Sequence, residues 1–133
     1  MTLVVDASVA AKWVLDEPGG ERALALRSED GLIAPSLVVA EVGNAIWKAA
    51  RRDAIARANA IAAVESALLP FEALIPDEEL RVRAFTLAFD LKHPIYDCFY
   101  LALAERERCP LITADSRLIA VAKAMKGVEL RLL

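Results

Sequence analysis

The stretch Leu3-Val4-Val5-Asp6-Ala7-Ser8-Val9-Ala10-Ala11-Lys12-Trp13-Val14 decides how the chain folds. Leu3-Val4-Val5 is a short continuous apolar run, the pattern of a buried strand. It stops at Asp6, and from Ala7 to Asp16 the apolar spacing turns helical through Val9, Trp13 and Val14. The alternation recurs along the chain. Leu32-Ile33-Ala34 is a second strand closed by Pro35, with Ser36 placed to cap a helix through Ala50. Phe71 to Ile75 is a third, followed by a helix that Pro76-Asp77 opens and that reaches Leu91. Pro94, suited to a first helical position, starts a helix through Arg106. Leu111-Ile112-Thr113 is a fourth strand ending near Asp115, a helix covers Ser116 to Met125, and Val128 to Leu130 is a fifth strand beyond Gly127. Two more helices, Glu21 to Glu29 and Ala54 to Leu69, follow the break Glu17-Pro18-Gly19-Gly20 and the corner Arg51-Arg52-Asp53. Short strands alternating with helices predict an α/β sandwich with a parallel sheet, as one domain over residues 1–133.

Composition narrows the function classes. With 133 residues the chain holds one core, and 57% hydrophobic residues exclude intrinsic disorder. The longest uncharged run, Gly31 to Ala40, is half what a membrane-spanning helix needs. No basic region opens the sequence and Asp6 interrupts its first apolar run, so no secretory signal is expected. Cys98 and Cys109 form no CxxC pair, which makes a reducing cytoplasm the expected location. The net charge of −3 argues against coating nucleic acid by bulk attraction. His93 is the only histidine, so there is no His cluster for zinc. Neither GxxxxGK[ST] nor GxGxxG occurs, and no Gly-x-Ser-x-Gly elbow marks a hydrolase triad.

What stands out is acidic. In open parallel sheets the functional crevice lies outside the carboxyl ends of the strands. Asp6 and Asp115 each follow a strand there, and Asp97 falls in the first turn after Pro94. A helix N-terminus would accommodate each of the three without any site. Glu41 lies at the edge of the apolar arc Val38, Val42, Ile46, with no Lys or Arg within four positions before it and Lys48 seven after. A carboxylate so placed bears a desolvation cost unless something positive meets it, and a surface glutamate with a distant partner is the plainer reading. If the four converged they would repel one another without a cation, and all-oxygen donors suit Mg²⁺ or Mn²⁺. Setting them aside leaves sixteen Lys and Arg against fifteen Asp and Glu, a near-neutral body around an acidic pocket. The chemistry this spacing suits is metal-assisted displacement at phosphate.

Four segments carry a family likeness: Val4-Val5-Asp6-Ala7-Ser8, Pro35-Ser36-Leu37-Val38-Val39-Ala40-Glu41-Val42-Gly43-Asn44-Ala45, Tyr96-Asp97-Cys98-Phe99-Tyr100-Leu101-Ala102-Leu103-Ala104 and Leu111-Ile112-Thr113-Ala114-Asp115-Ser116-Arg117-Leu118. In this order and spacing they resemble PIN-domain proteins, above all the VapC-type toxins of toxin–antitoxin pairs. The resemblance implies a PIN-like α/β/α sandwich with a mostly parallel sheet of about five short strands. It implies a Mg²⁺- or Mn²⁺-dependent endoribonuclease acting on RNA through metal-activated water. It implies that Asp6, Glu41, Asp97 and Asp115 hold the metal, with Ser8, Asn44 and Thr113 in support. It further implies a cognate antitoxin and a homodimer. Ser116-Arg117-Leu118 stands where many relatives carry a further acidic or amide residue.

Other features have plainer readings. Asp77-Glu78-Glu79 fits a helix N-terminus, His93 a loop, Cys98 core packing, and Trp13 and Trp47 interior positions. The arginines are scattered as on an ordinary solvated surface. Rival functions are a receiver-like Mg²⁺-binding signalling module, the same fold without catalysis acting through a protein partner, and a nuclease for structured DNA. The first lacks a lysine at the end of the Leu111–Thr113 strand, and the last would need more chain to clamp a duplex.

Overall fold

All five expected strands are present and all pair in parallel. The computed structural model describes residues 1–52 and 57–133. In chain order the elements are β1 (Leu3–Val5), α1 (Ala7–Ala10), a 3₁₀ turn (Ala11–Trp13), α2 (Gly20–Arg27), β2 (Leu32–Pro35), α3 (Val38–Arg51), α4 (Arg57–Leu68), β3 (Ala73–Ile75), a 3₁₀ turn (Asp77–Glu79), α5 (Arg81–Leu91), α6 (Ile95–Glu107), β4 (Leu111–Thr113), α7 (Ser116–Ala122) and β5 (Leu130–Leu132). The sheet order is β3-β2-β1-β4-β5. The chain therefore steps outward from β1 to β2 and β3, then returns to place β4 on the other side of β1. Right-handed crossovers put α1 to α4 on one face and α5 to α7 on the other, which makes the three layers. The strand order reverses between β1 and β4, and a crevice opens there at the carboxyl ends.

Burial explains why these residues form these elements. β1, β2 and β4 are buried at every position, as continuous apolar runs require. In α3 the buried residues Val38, Val42 and Ile46 recur every four positions. Burying each contributes about 1.5–3 kcal/mol. Helix α6 buries Cys98 and everything from Tyr100 to Ala104, because it lies over β1, β2 and β4 with α5 packed against it.

Several boundaries differ from the sequence reading, each for a local reason. The first helix tightens after Ala10 into a 3₁₀ turn, with the Val14 and Leu15 N–H groups both returning to the Ala11 carbonyl, and does not reach Asp16. Gly19, at φ +86°, caps the start of α2 in a conformation that favours glycine. Ser36 does not cap α3. Its hydroxyl accepts from the Asp77 N–H at 3.2 Å while the Asp77 carboxylate accepts from the Leu37 N–H at 3.1 Å. This exchange ties the start of α3 to the segment after β3, so Asp77–Glu79 forms its own turn rather than the first turn of α5. Pro94 stands one position before α6, as its N-cap. Helix α7 ends at Ala122, short of Met125, and β3 begins at Ala73 rather than Phe71. β5 sits two residues later than expected, with Leu111 opposite Leu130 and Thr113 opposite Leu132. The expected start of α4 at Ala54 and the Asp53 corner lie outside the described residues. Trp13 is interior, whereas Trp47 is 55% exposed with the Arg51 guanidinium 4.8 Å above its ring. Cys98 and Cys109 are buried free thiols. Among the described residues no helix is long and apolar enough to cross a membrane.

Candidate active site

Among the described residues, tyrosine aside, two polar side chains are buried: Asp6 and Thr113. They meet where β1 and β4 end. Thr113 Oγ1 donates to Asp6 Oδ2 at 2.8 Å, and Ser8 Oγ donates to the same oxygen at 2.7 Å. Each hydroxyl then accepts from the loop after β4, Thr113 from the Asp115 N–H at 3.1 Å and Ser8 from the Ala114 N–H at 3.0 Å. The two strand ends are thereby laced together around one carboxylate. Asp6 precedes α1 without any side-chain capping bond, so a simple N-cap role does not account for it. Burial raises its pKa against the two hydroxyl bonds, and the charge of Asp97 raises it further.

Glu41 comes from α3. The positive partner sought in the sequence is not what meets it. Tyr100, fully buried on α6, donates its hydroxyl to Glu41 Oε1 at 2.7 Å. Burial lifts the Glu41 pKa to about 7, the Tyr100 bond opposes this, and the charges of Asp6, Asp97 and Asp77 add to it. Tyr100 is the neighbour of this carboxylate that the sequence analysis does not single out. A buried tyrosine hydroxyl needs a partner, and Tyr100 lies three residues after Asp97 on the same helix, which was the available signal.

Asp97 sits in the first turn of α6, where His93 Nε2 stands 2.6 Å from its Oδ2. His93 is thus the loop residue it was read as, yet it holds a site carboxylate. Asp115 does cap α7: its Oδ1 accepts from the Arg117 N–H at 2.9 Å and from Arg117 Nε at 3.4 Å. Desolvation pushes its pKa up, but the Arg117 bonds and charge outweigh this and hold it below the ordinary carboxylate value.

The structure therefore brings Asp6, Glu41 and Asp97 within electrostatic reach of one another. Asp115, Glu41 and Ser8 line an open cleft of ≈ 440 Å³, whose lining includes neither Asp6 nor Asp97. Asn44 is exposed on α3 and is not among the residues lining that cleft. Each carboxylate gives its side-chain partners one oxygen only: Oδ2 of Asp6, Oε1 of Glu41, Oδ2 of Asp97 and Oδ1 of Asp115. Among the described residues no lysine or arginine pairs with Asp6, Glu41 or Asp97. An all-oxygen set short of positive charge fits a hard divalent cation. Among the described residues no three His, Cys, Asp or Glu groups close on one point. That suits an ion held by one or two carboxylates and its own waters better than an all-protein cage.

Comparison with known proteins bears on the family and the fold. The PIN domain family model matches residues 3–124. The chain is 36% identical over 121 residues to Ribonuclease VapC3 of Pyrobaculum aerophilum, covering 89% of this chain and 92% of that one. It is 35% identical over 122 residues to Ribonuclease VapC1 of Mycobacterium tuberculosis, covering 88% of each. Among solved structures it is similar to PAE2754 from Pyrobaculum aerophilum, with a TM-score of 0.72 and 26% identity over 98% of this chain and 83% of that one. A toxin–antitoxin complex from Klebsiella pneumoniae shares the fold, with a TM-score of 0.66 and 19% identity over 96% and 95% of the two chains.

Proposed function

The chain belongs to the PIN-domain family, and on that premise we propose that it is a metal-dependent endoribonuclease, the toxin of a type II toxin–antitoxin pair. The observation that carries this reading is the group Asp6, Glu41 and Asp97 near the reversal of strand order, buried or half-buried and, among the described residues, without a lysine or arginine partner. The names of the relatives at 36% and 35% identity, all ribonucleases, support RNA as the substrate. Asp6, Glu41, Asp97 and Asp115 would hold Mg²⁺ or Mn²⁺ between them, one or two directly and the others through the waters of the ion. When bound, the ion supplies a water of lowered pKa and neutralises charge developing on the phosphate.

The chain's own residues do the rest. Ser8 and Thr113 fix Asp6 in one orientation from two sides. His93 does the same for Asp97, and Tyr100 for Glu41. In the metal-free protein burial lifts the Glu41 pKa to about 7, so that a cation binding there would displace a proton from its carboxyl group. Asn44 supports the site only if it swings toward it from the exposed side of α3. A cognate antitoxin, a homodimer and a cytoplasmic location complete the proposal.

The test is to incubate the purified protein with total RNA and map the cut ends. We expect cleavage with Mg²⁺ or Mn²⁺, none with EDTA, and none from a folded Asp97→Asn variant. Cleavage that persists in EDTA, or in Asp97→Asn, would overturn the reading.

A further inference from the structure

An acidic cleft repels the substrate it must hold, because RNA brings a negative charge with every nucleotide. A cation in the chain has to offset this beside the site, and one is placed there. Lys12 is the only lysine or arginine lining the cleft among the described residues, together with Glu17, Glu41 and Asp115. It lies in the 3₁₀ turn between buried Ala11 and buried Trp13. Trp13 is pinned by its indole N–H bond to the Ala23 carbonyl at 2.7 Å and by its ring against Phe71 at 5.5 Å. The Lys12 side chain is only 14% exposed, and its ammonium donates to Glu17 Oε2 at 3.1 Å. Its stem runs past Gly19, where a β-carbon would lie 3.8 Å from Lys12 Cδ. On the far side of Lys12 a second hollow of ≈ 270 Å³ is lined by Gly19, Arg22, Ser116 and Leu133. Arg22 is exposed there and makes no ion pair among the described residues.

We propose that Lys12 binds a backbone phosphate where the RNA strand leaves the carboxylate cleft, and that Arg22 binds the next phosphate along the second hollow. This rests on the ribonuclease reading above. Glu17 holds the ammonium in place until a phosphate oxygen replaces its carboxylate. Lysine suits the task as a compact point charge that can change partners.

The test is fluorescence anisotropy of a labelled single-stranded RNA oligonucleotide with the full chain in EDTA, across a range of salt, so that binding is read without cleavage. Lys12→Gln should weaken binding about tenfold and reduce the slope of log affinity against log salt by about 0.7, the value of one single-strand phosphate contact. Arg22→Gln should reduce the slope by a similar amount. Lys12→Arg keeps the charge and should keep the slope. Glu17→Gln frees the ammonium and should tighten binding. A merely structural Lys12–Glu17 pair would instead make both neutral variants worse or leave both unchanged. Wild-type affinity and slope in Lys12→Gln, or weaker binding in Glu17→Gln, would overturn the proposal. If Lys12→Gln does not fold, Lys12→Arg and Glu17→Gln decide it alone. A wild-type protein that binds through Lys12 but never cuts with Mg²⁺ would support the contact and overturn the ribonuclease reading.

Discussion

Glu41 joins the sequence pattern, the packing and the chemistry at a single side chain. It lies at the margin of the apolar face of α3, and folding half-buries it with one tyrosine hydroxyl for company. Its folded pKa of about 7 stands above its ordinary value of 4.5, so between those limits the native state binds more protons than the unfolded chain. Stability of the metal-free protein should therefore fall as pH rises from about 4.5 to about 7. The raised pKa of Asp6 acts in the same direction. Thermal unfolding in EDTA across that range should show a declining melting temperature for wild type and a flatter profile for Glu41→Gln. An identical slope in the variant would remove Glu41 as the cause. Tyr100→Phe deletes the donor and should cost about 1.5–3 kcal/mol in urea unfolding above neutral pH, as expected for a hydrogen bond to a charged group. Unchanged stability would mean that the bond contributes nothing net. The positions of the carboxylates were legible in the sequence because strand ends and helix starts are local features. Tyr100 was not, because Glu41 and Tyr100 lie 59 residues apart and only the tertiary fold brings the two side chains together.

At the scale of the elements, one acidic residue can serve both a helix and a site, and Asp115 does so. It caps α7 through the Arg117 N–H and lines the cleft. Asparagine preserves the cap and alanine removes it. Asp115→Ala should lose about 1 kcal/mol of stability together with activity, whereas Asp115→Asn should lose activity with little change in melting temperature. Equal destabilisation by both would show that the charge rather than the capping oxygen matters to α7. Elements buried on a strict period were readable, as in β1, β4 and the Val38-Val42-Ile46 stripe of α3. Edge strand β5 was misplaced because it is mostly exposed, with Glu129 and Arg131 paired on its surface, so hydrophobicity does not fix its register. The starts of α3 and α5 were misread for a different reason. Their capping is exchanged between Ser36 and Asp77, across 41 residues.

The molecule as a whole turns on the reversal of strand order between β1 and β4. Neither order nor reversal was legible in the sequence, since strands of three residues carry no information about their neighbours. A parallel α/β domain with its carboxylates at strand ends was legible, and the topology then dictates that two of those ends adjoin. What the fold creates is a desolvated, like-charged group of carboxylates that costs stability, a cost the proposed cation would offset. Thermal unfolding of wild type and Asp6→Asn, each in EDTA and in saturating Mn²⁺, reads this directly. Mn²⁺ should stabilise wild type by about 2.7 kcal/mol at a hundredfold excess over its dissociation constant. Asp6→Asn keeps an oxygen for Ser8 and Thr113 while removing the buried charge. It should melt above wild type in EDTA, by about 1 kcal/mol of stability, and respond little to Mn²⁺. An Asp6→Asn protein that is less stable than wild type in EDTA and gains as much from Mn²⁺ would contradict a shared cation site.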